Sequence, residues 1–153
     1  MEVINEMALT FSSKSANENF ARAAVSAFLL PLDPTITELA DIKTAVSEAV
    51  TNAIIHGYEY GEGQIKLTAK IYDNGKVVVK VSDKGKGIAD IKQAMEPLFS
   101  TVGGERAGLG FAVMKSFTDD MKVHSKPGAG TAVTLEKYII RRSKAAICDD
   151  SGN

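Results

Sequence analysis

The sequence has little cysteine, no tryptophan and no excess of either charge. Its single cysteine, Cys148, excludes an intrachain disulfide and a metal site built from several thiolates. The net charge of -1 gives no basic surface of the kind that predicts binding to nucleic acid. No apolar run reaches the ~18 residues of a membrane span, and the first residues lack the pattern of a signal peptide. We therefore expect a soluble, cytoplasmic protein with no membrane and no direct nucleic-acid partner.

The rest of the composition is that of an ordinary globular domain. Of the 153 residues, 44% are hydrophobic and 24% are charged, which allows a core large enough to fold unaided. We predict one domain over residues 1–142, because two domains would each be too small. The last residues carry basic and then acidic side chains without apolar periodicity, which predicts a disordered tail over residues 143–153.

Two amphipathic helices are predicted in the first third of the chain. Ser15 and Glu18 match the S-x-x-E capping box, and apolar residues then recur at helical spacing as far as Pro31. A second helix opens at 33–35 and ends near His56-Gly57. Its apolar stripe consists of Leu39, Ile42, Val46, Ala49 and Ala53.

Five segments alternate apolar and polar residues and are predicted to be strands. The Asp73-Asn74-Gly75 turn joins the second and third as a β-hairpin. Short helices are predicted at Ala89 to Met95 and at Phe111 to Phe117. Together the elements predict an α+β fold, with one mixed, mainly antiparallel sheet and helices packed on one face. The strands are Met7 to Phe11, Ile65 to Ile71, Val77 to Val81, Met121 to His124 and Thr131 to Tyr138.

Glu48 and Asn52 form the first candidate pair for chemistry. Their i, i+4 spacing places the two side chains next to each other on the second helix, roughly opposite the apolar stripe. A carboxylate beside an amide could serve a polar site, but an ordinary solvated helix face explains the same spacing.

Two glycine motifs follow. Asp83-x-Gly85-x-Gly87 comes directly after a predicted strand, where glycines let the backbone approach a ligand and the carboxylate can accept from an amine such as that of adenine. The alternative is a flexible turn with a solvated aspartate. Gly108-Leu109-Gly110 precedes the predicted Phe111 helix, where backbone N–H groups and the helix dipole favour a phosphate; a simple hinge is the alternative.

The order of these motifs resembles that of the GHKL ATPases and kinases. The pattern is E-x-x-x-N on a helix, D-x-G-x-G after a hairpin, G-x-G before a helix, and Gly130-Thr131 at the start of a late strand. The run from Ser47 to Tyr58 is similar to the N box of the small serine-kinase branch, which includes anti-sigma factors of spore-forming bacteria. The similarity extends from Asn5 to Ser143 and includes Pro97 to Thr101 at the position of the ATP lid. It implies a Bergerat-type two-layer α/β sandwich that binds ATP or ADP with Mg²⁺.

The resemblance implies a role for each matching position. Asn52 would ligate Mg²⁺, since a neutral oxygen suits this hard cation, and Glu48 would act beside it as the general base. Asp83 would accept from the adenine amino group, with Thr131 supporting that end of the pocket. The residues implied to contact the nucleotide are Asn52, Asp83, Gly85, Gly87, Thr101, Arg106, Gly108, Leu109, Gly110 and Thr131.

The resemblance also implies partners. A histidine kinase would need a phosphoacceptor on a separate helical hairpin, and neither His56 nor His124 lies in one, so both are interpreted as structural. The serine-kinase branch phosphorylates an anti-anti-sigma protein, sequesters a sporulation sigma factor and is homodimeric, with Met7 to Leu30 implied at the dimer interface. Arg22 matches a docking position, although a solvated arginine explains it almost as well. A nucleotide-sensing anti-sigma module without phosphoryl transfer, and the kinase of a general stress-response sigma factor, remain alternatives.

Overall fold

The chain folds as an antiparallel sheet covered on one side by helices. The structure is a computed structural model that describes residues 1–91 and 104–139, with only the backbone for 104–108. Within these residues the sheet has five strands in the order β1-β2-β3-β5-β4. A 3₁₀ turn at Leu30–Leu32 and a π-helical turn at Ala53–Gly57 extend the first two helices. The elements are β1 (Val3–Ser12), α1 (Ala16–Leu29), α2 (Ile36–Asn52), β2 (Gln64–Tyr72), β3 (Lys76–Asp83), α3 (Gly104–Ser116), β4 (Asp120–Lys126) and β5 (Gly130–Tyr138).

The α+β fold with helices on one face is confirmed, but the sheet is antiparallel throughout rather than mixed. Every neighbouring pair of the five described strands is antiparallel. The chain crosses over from β3 to β4 by way of α3, and such a connection makes these two strands run in the same direction. They do not touch, because β5 returns by the tight turn after β4 and inserts between them. The crossover therefore produces no parallel pair.

The hydrophobic core lies between the helices and one face of the sheet. Successive residues of β2 and β3 alternate between buried and exposed, as expected for a sheet covered on one side. The helices bury one face each against it. The central core side chains are Val25, Leu29, Ile42, Val46, Val50, Ile65, Leu67, Ile71, Val77, Val79, Val81, Phe111, Met114, Val133 and Leu135.

The start of α1 differs from the prediction, because Ser15 and Glu18 do not form a capping box. Ser15 already has helical torsions (φ -55°, ψ -33°) and its side chain makes no capping hydrogen bond. A capping residue needs an extended backbone to turn its hydroxyl towards the third N–H of the helix. Thr35 has this geometry at the start of α2 (φ -68°, ψ 162°): its hydroxyl accepts from the Glu38 N–H, and the Glu38 carboxylate accepts from the Thr35 N–H. The T-x-x-E signal for this box was present in the sequence.

The helix α3 begins earlier than predicted, and this changes the position of the second glycine motif. The predicted helix started at Phe111, whereas residues 104–116 are all helical in the structure. Gly108-Leu109-Gly110 therefore lies inside a helix and not in a loop before it. Glycine is a poor helix former, so helical packing at this point must come from the tertiary structure.

Some predicted features lie outside the described residues. These are the greater part of the helix at Ala89 to Met95, the segment from Pro97 to Thr101 at the position of the ATP lid, and the tail at 143–153. Among the residues that are described, no helix is both long and apolar enough to cross a bilayer.

Candidate functional site

Glu48 and Asn52 lie under α3 and not on a solvated face. Asn52 is only 9% exposed, and Glu48 is half-buried. A Cβ atom on Gly110 of α3 would lie 3.0 Å from Asn52 Oδ1, 3.1 Å from Asn52 Nδ2 and 3.2 Å from Glu48 Oε2. The alternative of an ordinary solvated pair is therefore wrong: the two polar side chains meet a second helix at a position that has no side chain.

The Asn52 amide is buried without a matching partner. Within residues 1–91 and 104–139, Asn52 Nδ2 has no hydrogen-bond partner and is inaccessible to solvent. Leaving a buried donor unpaired costs about 1–3 kcal/mol, and such groups are few in native structures. An amide oxygen beside a carboxylate fits a Mg²⁺ ion, which binds through few protein oxygens and takes its other ligands from phosphates and water.

The second part of the site is Asp83, the last residue of β3. Its carboxylate Oδ1 accepts from the backbone N–H of Gly85 at 2.8 Å. Burial raises the pKa of the Asp83 carboxyl above its ordinary value, and the backbone N–H groups of Gly85 and Thr131 oppose this rise. The end of the π-helical turn that follows α2 packs against the carboxylate: a Cβ on Gly57 would lie 2.8 Å from Asp83 Cγ. Asp83 is therefore a partly desolvated hydrogen-bond acceptor whose orientation is fixed by the backbone around it.

The loop after Asp83 is packed on both sides, which excludes a flexible turn. The N–H of Lys86 donates to the Gly57 carbonyl at 2.9 Å, and the N–H of Gly128 donates to the Lys86 carbonyl at 2.6 Å. A Cβ on Gly85 would overlap the Gly57 carbonyl. Gly87 has φ +74° and a Cβ there would overlap the Lys126 carbonyl, so no other residue fits without a shift. These glycines are needed for packing of the chain against itself, a reason additional to the approach of a ligand.

Thr131 lies directly across from Asp83 in the β3–β5 ladder. Its hydroxyl is 2.8 Å from Ser125 Oγ on β4. The structure does not bring the predicted nucleotide contacts from residues 101–109 next to Asp83 and Thr131 in its described residues. Leu109 is exposed on α3, Thr101 lies outside the described residues, and the described part of Arg106 is limited to its helical backbone.

The predicted phosphate donors have a different geometry from that expected. In an α-helix only the first four N–H groups lack a carbonyl partner within the helix. Since residues 104–107 are already helical, the N–H groups of Gly108 and Gly110 point to carbonyls of the preceding turn. The prediction of exposed N–H groups at Gly108 and Gly110 is thus corrected: the described role of Gly110 is close packing on Asn52 and Glu48.

Two positioning residues escaped the sequence reasoning. The Tyr58 hydroxyl accepts from the Lys84 N–H at 2.8 Å and donates to the Gln64 carbonyl at 2.6 Å, so it ties the loop after Asp83 to β2. Tyr58 stood at the end of the recognised N-box run, but its hydroxyl partners are distant in sequence. Ser125 had no signal, because an alternating strand with a polar residue looks the same wherever its hydroxyl points.

The proposed docking residue, Arg22, is on the surface of α1. Its guanidinium lies 3.7 Å from the Glu18 carboxylate and donates to the Asn19 side chain. The side chain is 39% exposed, so it is reachable from solvent while being oriented by its own helix.

The fold and site together define a histidine kinase-like ATPase domain. The model of this family matches residues 11–137. Among solved structures, the RsbU and RsbW domains of Rv1364c from Mycobacterium tuberculosis share the fold with a TM-score of 0.67 at 22% identity, over 91% of this chain and 34% of that chain. The SiaB-SiaC complex of Pseudomonas aeruginosa gives a TM-score of 0.58 at 15% identity, over 88% and 89%.

Sequence relatives narrow the class. The chain is 59% identical over 140 residues to the anti-sigma F factor of Thermoanaerobacter sp. (strain X514), covering 91% of this chain and 97% of that protein. It is 48% identical over 147 residues to the anti-sigma F factor of Heyndrickxia coagulans, covering 95% and 99%. The chain therefore belongs to the histidine kinase-like ATPase family and, within it, to the family of the anti-sigma F factors.

Proposed function

We propose that the chain is an Mg-ATP-dependent protein serine kinase that phosphorylates an anti-anti-sigma protein and, in a separate complex, binds and inhibits a sporulation sigma factor in the cytoplasm. The observation that carries the kinase half is the adjacent pair of half-buried Glu48 and buried Asn52 beneath Gly110, with an Asn52 Nδ2 that has no hydrogen-bond partner in the described residues.

At the base end, Asp83 accepts a hydrogen bond from the adenine amino group. Support comes from its position in a closed loop, where its Oδ1 is oriented by the Gly85 N–H and its carboxyl is partly desolvated. A held acceptor loses little conformational entropy when the base binds. Gly85 and Gly87 let the loop pack closely against the neighbouring backbone, which leaves room for the base beside it. Thr131 flanks the same position.

At the phosphate end, Asn52 holds Mg²⁺ through its amide oxygen. The ion, when bound, neutralises charge that develops on the phosphate oxygens during transfer. The positive end of the α3 helix dipole favours the phosphates. Arg106, Gly108, Leu109 and Thr101 remain proposed contacts at this end.

Glu48 orients and deprotonates the incoming hydroxyl. The serine oxygen of the partner forms a bond to the γ-phosphorus of ATP while the bond to the β–γ bridging oxygen breaks, and ADP leaves. The serine proton passes to the Glu48 carboxylate. Stabilisation of the phosphoryl-transfer transition state depends mostly on the positions of the reactants and on neutralisation of charge. The general base therefore acts mainly by aligning the nucleophile, and it increases the rate about 10²–10⁴-fold.

The partner surfaces in this proposal are on α1 and β1. β1 is an edge strand, and Ile4 on it and Phe20 on α1 are exposed apolar side chains. Such an edge is suited to an interface between two copies of the chain. Arg22 on the same helix serves as a docking cation for an acidic partner surface.

The test is phosphoryl transfer by a Glu48→Gln variant. Purified protein is incubated with γ-labelled ATP, Mg²⁺ and an anti-anti-sigma protein, and the labelled residue is mapped. We expect label on a partner serine with the natural protein, and a rate at least ~100-fold lower with Glu48→Gln at unchanged ATP affinity. The matched control is Glu62→Gln, which changes an exposed carboxylate away from Asn52.

Two results would contradict the proposal. Transfer at the natural rate by Glu48→Gln excludes Glu48 as the base. Tight nucleotide binding by the natural protein without label on any partner identifies a nucleotide-sensing anti-sigma module instead of a kinase. Label only on the partner of a general stress-response system would reassign the sigma factor but not the chemistry.

A further inference from the structure

We infer that Ser125 fixes the direction of the Thr131 hydroxyl and thereby makes the base pocket select a 6-aminopurine over a 6-oxopurine. This inference rests on the proposed function, because it assumes that Asp83 and Thr131 flank the purine. It assigns a role to a residue that belongs to none of the motifs.

The three residues form a row across the sheet. Asp83 on β3 pairs with Thr131 on β5, and Thr131 pairs with Ser125 on β4. Directly opposite residues of antiparallel strands place their side chains on the same face. Because Ile65, which pairs with Asp83 on the other side, belongs to the buried core, this face is the one covered by the helices. Ser125 is therefore one strand away from the predicted base site and on the correct side of the sheet.

The Ser125 hydroxyl lies at the centre of three contacts. It accepts from the backbone N–H of Ile88 at 2.7 Å, it donates to the Gly130 carbonyl at 3.0 Å, and it lies 2.8 Å from Thr131 Oγ1. A hydroxyl has one proton to donate and two lone pairs to accept with. The Ile88 N–H can only donate and the Gly130 carbonyl can only accept. All three bonds form together only if Thr131 donates its proton to Ser125.

This arrangement determines what Thr131 offers to a ligand. Its proton is used by Ser125, so only lone pairs of Thr131 Oγ1 remain for the pocket. The neighbouring Asp83 carboxylate also accepts only. Two adjacent acceptors match the amino group at position 6 of adenine. They leave the carbonyl oxygen of a 6-oxopurine without a donor and next to a carboxylate, which is a repulsive contact.

Ser125 also connects elements, which gives a competing explanation. Its contacts join the loop at Ile88 to the β4–β5 turn, and this alone would stabilise the fold. Selectivity separates the two explanations, because a purely structural joint affects binding of both purines alike. The ratio of dissociation constants for ITP and ATP is the direct measure, since inosine replaces the 6-amino group by a 6-oxo group.

The experiment measures Kd for ATP and ITP, with Mg²⁺, by titration calorimetry on the full chain, with thermal melting of each variant. We expect Ser125→Ala to lower the ITP/ATP ratio about five- to tenfold, the value of one hydrogen bond, because Thr131 is then free to donate. Ser125→Thr keeps the hydroxyl and should restore the ratio. Ser116→Ala is the matched control, since this exposed serine on α3 bonds only the Ala112 carbonyl among the described residues.

A double-mutant cycle tests the route through Thr131. Thr131→Val removes the hydroxyl and should itself lower the ITP/ATP ratio. In the Thr131→Val background, Ser125→Ala should change the ratio no further, because no hydroxyl remains to be oriented. If Ser125→Ala does not fold, the ITP/ATP ratio of Thr131→Val still tests whether the Thr131 hydroxyl contributes to the selectivity.

The outcomes that overturn the inference differ from those that overturn the proposed function. An unchanged ratio in folded Ser125→Ala, or in folded Thr131→Val, overturns the inference while ATP binding stands. Equal affinity of the natural protein for ATP and ITP does the same. If the natural protein binds neither nucleotide, the proposed function and the inference fall together.

Discussion

The Tyr58 hydroxyl gives a prediction that depends on its two hydrogen bonds. Tyr58→Phe keeps the ring, which packs closely against Gly63, and removes only the oxygen that accepts from the Lys84 N–H and donates to the Gln64 carbonyl. Each such bond contributes about 0.5–1.5 kcal/mol net, and water can replace part of it because both bonds are near the surface. We therefore expect a loss of about 1–2 kcal/mol in unfolding free energy.

The loss should appear in two assays. For a chain of this size, 1–2 kcal/mol corresponds to a decrease in Tm of roughly 3–6 °C, measured by circular dichroism. ATP affinity should fall as well, because the released Lys84 segment follows Asp83 directly. The control is Tyr60→Phe, which removes a hydroxyl from a side chain that is 70% exposed. If Tyr58→Phe and Tyr60→Phe give the same Tm and the same Kd, the assignment of Tyr58 as a positioning residue is refuted.

Three further predictions concern the glycines and Asp83. Gly110→Ala gains about 1 kcal/mol of helix propensity but presses on Asn52 and Glu48, so we expect near-normal stability with at least ~10-fold weaker Mg-ATP binding; unchanged affinity would contradict it. Gly87→Ala, at φ +74° against the Lys126 carbonyl, should lower the urea midpoint by an amount corresponding to more than ~2 kcal/mol. Burial raises the folded-state pKa of Asp83 above 3.8, which means that the folded protein holds the proton of this carboxyl more tightly than the unfolded chain does. The resulting gain in folding stability is fully present below pH 3.8 and is lost as the pH rises through the folded-state pKa. Asp83→Asn should therefore gain stability relative to the natural protein at pH 7 but not at acid pH, in paired urea titrations, while binding ATP more weakly; an equal difference at both pH values would show that ionisation of Asp83 costs nothing.

The glycine requirements in this site have two different physical origins, one in each glycine motif. Gly87 is needed because its φ is positive and a Cβ would overlap the Lys126 carbonyl. Gly110, in contrast, has ordinary helical surroundings and is needed because Asn52 and Glu48 occupy the space of its side chain. A substitution at Gly87 should thus damage the fold, whereas one at Gly110 should damage the site.

The sequence by itself determined the elements that depend on neighbouring residues. The hairpin between β2 and β3 follows from the Asp73-Asn74-Gly75 turn and two alternating strands, and Ile71 lies opposite Val77 in it. The length of α2 follows from its apolar stripe. The order of motifs along the chain was sufficient to indicate the family, since that order does not depend on knowing any distance.

Only the tertiary structure decided features that depend on residues far apart in the chain. The insertion of β5 between β3 and β4, and hence a sheet without parallel pairs in its described strands, results from packing and not from local pattern. The burial of Asn52 is decided by the contact of two helices at Gly110. The Ser125–Thr131 pair requires two strands to be in register, because a hydroxyl carries no local signal of its partner. Short-range torsions and periodicity can be read from the chain, while the partners of a polar group are set by the fold that surrounds it.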